Sequence, residues 1–199
     1  MPSNRSKIIT LTDYISGGVF QVSSCQIISF QAIGLNDTSI TYINQRGVRK
    51  VGQRVTQTPA AIATACISNA IGILTPITLD TGIILYINID RIIYIDVLSN
   101  SAPVITAVTY DALINPPQVY LCSAPTALAL KNLTDNMLAI TTVATSSIPS
   151  RTRYINNLKI DILTGTTSSH IFYDEHKTEF IKLEATQTVA AIIATVNAL

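Results

Sequence analysis

Twelve residues, VFQVSSCQIISF from Val19 to Phe30, line up without gaps on ILYINIDRIIYI, Ile84 to Ile95, 65 positions further along the chain. Apolar residues fall on apolar residues: Val19 on Ile84, Phe20 on Leu85, Val22 on Ile87, Ile27 on Ile92, Ile28 on Ile93 and Phe30 on Ile95. A shorter version, RYINNLKIDIL, runs from Arg153 to Leu163, with Tyr154-Ile155-Asn156 echoing Tyr86-Ile87-Asn88. Three matching endings begin at Thr58 (TPAAIATACI), Ala124 (APTALALKNL) and Thr188 (TVAAIIATVN). A period of this length is the mark of stacked supersecondary units, none of which buries its apolar face alone.

Within each period, runs of Ile, Val, Tyr and Thr favour strands, because β-branched and aromatic side chains fit a pleated surface. Turn chemistry separates them at Gly17-Gly18, Asn36-Asp37, Arg46-Gly47, Thr81-Gly82, Asn115-Pro116-Pro117 and Thr164-Gly165. A Ser or Thr, followed in two periods by proline, then opens an Ala-rich helix. The expectation is an α+β fold of three tandem ββββα repeats, 1–72, 73–137 and 138–199. Each is a small antiparallel sheet covered by one short helix, and the three pack as one pseudo-threefold or linear body.

Of the 199 residues, 48% are hydrophobic, enough for a proper core, while only 13% are charged. A polar but uncharged surface suits a protein covered by neighbours. The net charge of +1 gives no global attraction to nucleic acid or an anionic membrane. Its distribution is uneven: six Lys/Arg against two acids in 1–72, two against five in 73–137, five against five in 138–199. Cys25, Cys66 and Cys122 are an odd, widely spaced set that indicates neither a disulfide framework nor a zinc site. No export signal is visible, since Asp13 and a glycine pair interrupt the first apolar stretch. Residues 55–79 are uncharged and long enough to span a bilayer. Pro59, Asn69, Pro76 and the Ser and Thr residues among them predict instead a short helix followed by the next strand, and no membrane.

The residues offer no constellation for catalysis, so the chain is not expected to be an enzyme, and no catalytic, cofactor-binding or metal-binding residue is assigned. GxSxG, Walker-type and GxGxxG patterns are missing from the sequence. His170 and His176 flank Asp174, a pairing that could bind a metal if one strand continued through them. Asp174-Glu175-His176-Lys177 reads better as a polar hairpin tip between strands 169–173 and 178–183. Cys25 and Cys66 lie in apolar stretches expected to leave their thiols inert.

The sharpest local feature is QRGVRKVGQR, Gln45 to Arg54, a basic hairpin in which Arg46, Arg49, Lys50 and Arg54 stand without an acid among them. Three readings stay open: a solvated hairpin, a contact with an acidic protein surface, and a grip on nucleic-acid phosphates. The segment holds no aromatic residue for base stacking. Charge asymmetry also suggests head-to-tail assembly, the basic first third of one copy facing the acidic second third of the next.

The second period, LDTGIILYINIDRIIYIDVL (Leu79 to Leu98), then a hairpin, then VYLCSAPTALALKNL (Val119 to Leu133), resembles the small flagellar FlbD-like family. It departs from that family at Ser123-Ala124-Pro125, where an acidic, Val-rich junction would stand. Tandem units of this kind, rich in Ile, Asn and Thr, are similar to virion proteins of crAss-like tailed bacteriophages. That resemblance implies a structural virion component, a capsid auxiliary or decoration protein or a portal or tail-neck element, assembled in the bacterial host cytoplasm. Its partners would be other virion proteins: copies of itself, or major capsid, portal or tail proteins. The alternative is a nucleic-acid-binding module using the hairpin 45–54.

Overall fold

The computed structural model describes residues 7–66, 74–99, 105–113, 117–133, 136–143, 151–157, 160–164, 169–174 and 180–198, with backbone alone at 99, 161–164, 169–174 and 180–184. An order of elements recurs along it. First come β1 (Ile8–Thr12), β2 (Val19–Ser23), a 3-10 turn (Ser24–Gln26), β3 (Ile27–Ala32), β4 (Thr38–Ile43), β5 (Arg49–Val55) and α1 (Pro59–Cys66). Next are β6 (Leu74–Leu79), β7 (Ile84–Asn88), a 3-10 turn (Ile89–Arg91), β8 (Ile92–Ser99), β9 (Ile105–Tyr110), β10 (Gln118–Ala124) and α2 (Ala127–Lys131). Last are β11 (Met137–Thr141), β12 (Thr152–Asn156), β13 (Ile160–Thr164), β14 (Ser169–Asp174), β15 (Phe180–Ala185) and α3 (Val189–Asn197).

The expected α+β fold of three ββββα repeats, each with its own covered sheet, is therefore corrected. The described chain is mostly β, with three short helices, and its sheets are shared between successive periods. One reason lies in the apolar runs Val19–Phe30 and Ile84–Ile95, continuous as patterns but each split by a 3-10 turn. Ser23 and Gln26 close the first turn, the Ser23 N–H donating to Gln26 Oε1 at 3.3 Å. The other reason is that alternation fixes which face of a strand is buried but not which edge is paired.

The chain divides into two compact units, residues 1–91 and 92–199. In the first, five antiparallel strands run in the order β6-β7-β3-β4-β5. The hairpin β1-β2 forms a separate pair, tied to the end of β5 through an Asp13–Val55 bridge. The tips of the hairpins β1-β2 and β6-β7 carry Gly17 and Gly82 at φ +66° and +82°, the left-handed region open to glycine at little cost. The core gathers Ile9, Leu11, Val22, Ile27, Phe30, Ile40, Val55 and Ile62. Helix α1 packs on β1 and β3 through Ile62 and Cys66, four residues apart on one face.

The second unit repeats this plan: five antiparallel strands in the order β11-β12-β8-β9-β10, and a meander β13-β14-β15. A Thr142–Ala185 bridge ties β11 to β15. Ile93, Leu138, Ile140, Ile155, Ala185 and Ile192 make up one core cluster. Side chains repeat the closure in detail: the Thr12 N–H donates to Gln57 Oε1 at 3.1 Å and the Thr141 N–H to Gln187 Oε1 at 3.0 Å.

Candidate interaction surface

The basic segment lies on the hairpin β4-β5. Asn44 shapes its turn, its Oδ1 accepting the N–H of Arg46 at 3.0 Å and of Val48 at 2.9 Å, which leaves Arg46 exposed at the tip. On β5 a bulge at Val51-Gly52, with Gly52 at φ +63°, interrupts the pairing between Ile40↔Gln53 and Tyr42↔Lys50.

The four basic residues do not act as one cluster. Lys50 is exposed, and Arg49 is half-buried with its Nε lacking a hydrogen-bond partner. Arg54 is engaged within the unit: it is paired with the buried carboxylate of Asp37 and its guanidinium lies 4.1 Å above the Tyr14 ring. The Asp37 hydrogen bond, foremost, holds the Arg54 guanidinium's pKa above its ordinary value. Arg46 and Lys50 are thus the cations most open to a partner.

Beside Arg46 is a depression of about 340 Å3 lined by Phe20, Gln21, Tyr42, Asn44, Gln45 and Arg46. Phe20 and Tyr42 stack with centroids 5.6 Å apart and planes 21° from parallel. Burial, and then the nearby Asp13 carboxylate, raise the Tyr42 hydroxyl pKa above its ordinary value. Reading the hairpin alone missed both aromatics. Strict alternation along β4 could have turned Tyr42 inward, but nothing local signalled that Phe20 comes back against it.

His170 stands on β14 opposite Glu184 of β15, and Asp174 opposite Phe180; Glu175, His176 and Lys177 lie outside the described residues. Among the described residues, no group of three or more His, Cys, Asp or Glu is placed to hold a metal ion. None of their helices is long and apolar enough to cross a membrane; 59–66 and 74–79 form the helix and strand expected of the uncharged stretch. Burial pushes the Cys66 thiol up to about 11. Cys25, expected in apolar surroundings, is instead exposed, because the 3-10 turn lifts it out of the strand pattern. No family model, curated protein or solved structure matches the chain.

Proposed function

We propose that this chain is a structural protein of a tailed-phage virion and works by assembling with other protein subunits. The observation that carries the reading is large aliphatic side chains left in solvent on a chain with few charges. Leu35 is 97% exposed, Ile15 85% and Val19 67% in the first unit, and Leu128 57% in the second. Apolar surface of this kind gains free energy when a neighbour covers it, at about 25 cal/mol per Å2. Copies of itself or major capsid, portal or tail proteins are the covering neighbours, in a capsid-auxiliary or portal and tail-neck position.

The test is quantitative mass spectrometry of purified particles: the chain is expected at a fixed copy number per particle, and its recovery only in the unassembled lysate overturns the reading. A nucleic-acid-binding module is the second reading, favoured by the Phe20–Tyr42 stack beside Arg46. A salt-dependent mobility shift of single-stranded DNA, lost on reversing Arg46 and Lys50, would support it over assembly.

A further inference from the structure

We infer that the chain joins to further copies of itself head to tail, the free edge of β2 in one copy pairing antiparallel with the free edge of β13 in the next. This rests on the reading of the chain as an assembling protein, and names its partner and its edges.

The chain makes this joint twice within itself. Strand β7 adds to β3 with Ser29↔Ile87, Phe30↔Tyr86 and Gln31↔Leu85 opposed. Strand β12 adds to β8 with Tyr94↔Ile155, Ile95↔Tyr154 and Asp96↔Arg153 opposed. The registers coincide: Phe30 and Ile95 are equivalent in the aligned periods, as are Tyr86 and Tyr154. An asparagine at the end of each added strand clips the acceptor strand. Asn88 Nδ2 donates to Ile27 O at 3.5 Å and Asn156 Nδ2 to Ile92 O at 3.0 Å.

One donor and one acceptor of the series are left over. Strand β2 is the element equivalent to β7 and β12, the second strand of the hairpin that opens each period. Among the described residues it pairs with β1 alone. Strand β13 is equivalent to β3 and β8, and among the described residues pairs with β14 alone. Its identity as the third acceptor is fixed by a shared irregularity. The register against the next strand shifts between Ile27 and Ser29 in β3, Ile92 and Tyr94 in β8, and Ile160 and Ile162 in β13.

An open strand edge presents unpaired N–H and C=O groups and is a template for another chain. Here the template and its complement sit on one polypeptide, so a joint between copies is heterologous and propagates into a ring or filament. Carrying the internal register over predicts Ile162 opposite Val22, Leu163 opposite Gln21 and Thr164 opposite Phe20 of the next copy. Val19 and Gln21, exposed on β2, and the depression lined by Phe20 and Gln21 lie along the edge that the incoming strand would cover.

The test uses the full chain. In sedimentation velocity the wild-type protein is expected to move, as its concentration rises, from one 21.5 kDa chain toward multiples of it. The shift should survive high salt, because backbone pairing and apolar burial, unlike contacts of the basic hairpin, are little screened. On a Cys25→Ser background, a Gln21→Cys chain mixed with a Leu163→Cys chain should be joined by a short bismaleimide into a heterodimer, with those two residues linked in peptide mass spectrometry. The doubly substituted chain should give a ladder. Linkage confined within single chains, or a protein monomeric at every concentration, overturns the proposal. Persistent oligomers without this cross-link overturn it too while leaving the assembly reading standing.

Discussion

Asp13 organises the turn after β1. Its Oδ1 accepts the backbone N–H of Ser16 at 2.7 Å, the Ser16 hydroxyl at 2.8 Å and the N–H of Ile15 at 3.1 Å, while Gln53 donates to Oδ2. The Ser16 backbone N–H, foremost, holds the carboxyl below its ordinary 3.8. A depressed folded-state value means that the stabilisation is present above 3.8 and is lost as pH falls through the lower folded value. Asp13→Asn is therefore expected to melt below wild type at neutral pH, the gap closing under acid conditions. Melting curves across that range check it, and a gap independent of pH would refute the role. Of this site the sequence showed only a glycine-containing turn; the reach of Gln53 back to it required the fold.

At the scale of elements, the two internal joints use different chemistry at one register position. Gln31 faces Leu85 at the first; at the second Asp96 faces Arg153, both buried, with Nε 2.5 Å and Nη2 2.7 Å from the carboxylate oxygens. Arg151 adds a contact of 3.2 Å, and the Arg153 guanidinium lies 4.0 Å over the Tyr94 ring. Removing Arg153 leaves the buried Asp96 carboxylate to the partly exposed Arg151, so Arg153→Ala should lower unfolding stability by about 3 kcal/mol in urea titration, the lower end for breaking a buried pair. Replacing Asp96 and Arg153 together by leucine should recover most of that, as the uncharged first joint indicates; a double variant no better than the single one would contradict this account. Two helix starts were legible, Thr58 and Thr188 each accepting an N–H three residues on at 3.3 Å; in the second period the matched endings set Ala124-Pro125 at that place, whereas the cap is Thr126, also at 3.3 Å, and Pro125 precedes it. The joints were not legible, because an acid in one period and a base in the next carry no sign of facing each other.

At the scale of the whole molecule, the three thiols report on the packing of both units. Cys66 and Cys122 are buried and Cys25 is exposed, so one thiol per chain should react rapidly with an aromatic disulfide at neutral pH, and three after denaturation. Rapid reaction of all three in the native protein would mean that the cores open far more readily than this packing implies. By itself the sequence determined the periodicity, the strand-rich character of each period with a short helix at its end, and the lack of recognised catalytic motifs, all of which follow from local propensity and spacing; it did not determine the number of strands, since each period has five and not four. Tertiary structure alone decided that a hairpin completes the sheet of the period before it and that Arg54 is spent on Asp37 while Arg46 stays free. It also decided which strand edges, among the described residues, are left without a partner strand at the two ends of the series. Those outcomes depend on which backbone edges and charged groups meet across dozens of residues, and a one-dimensional pattern fixes the facing of a strand without fixing its neighbour.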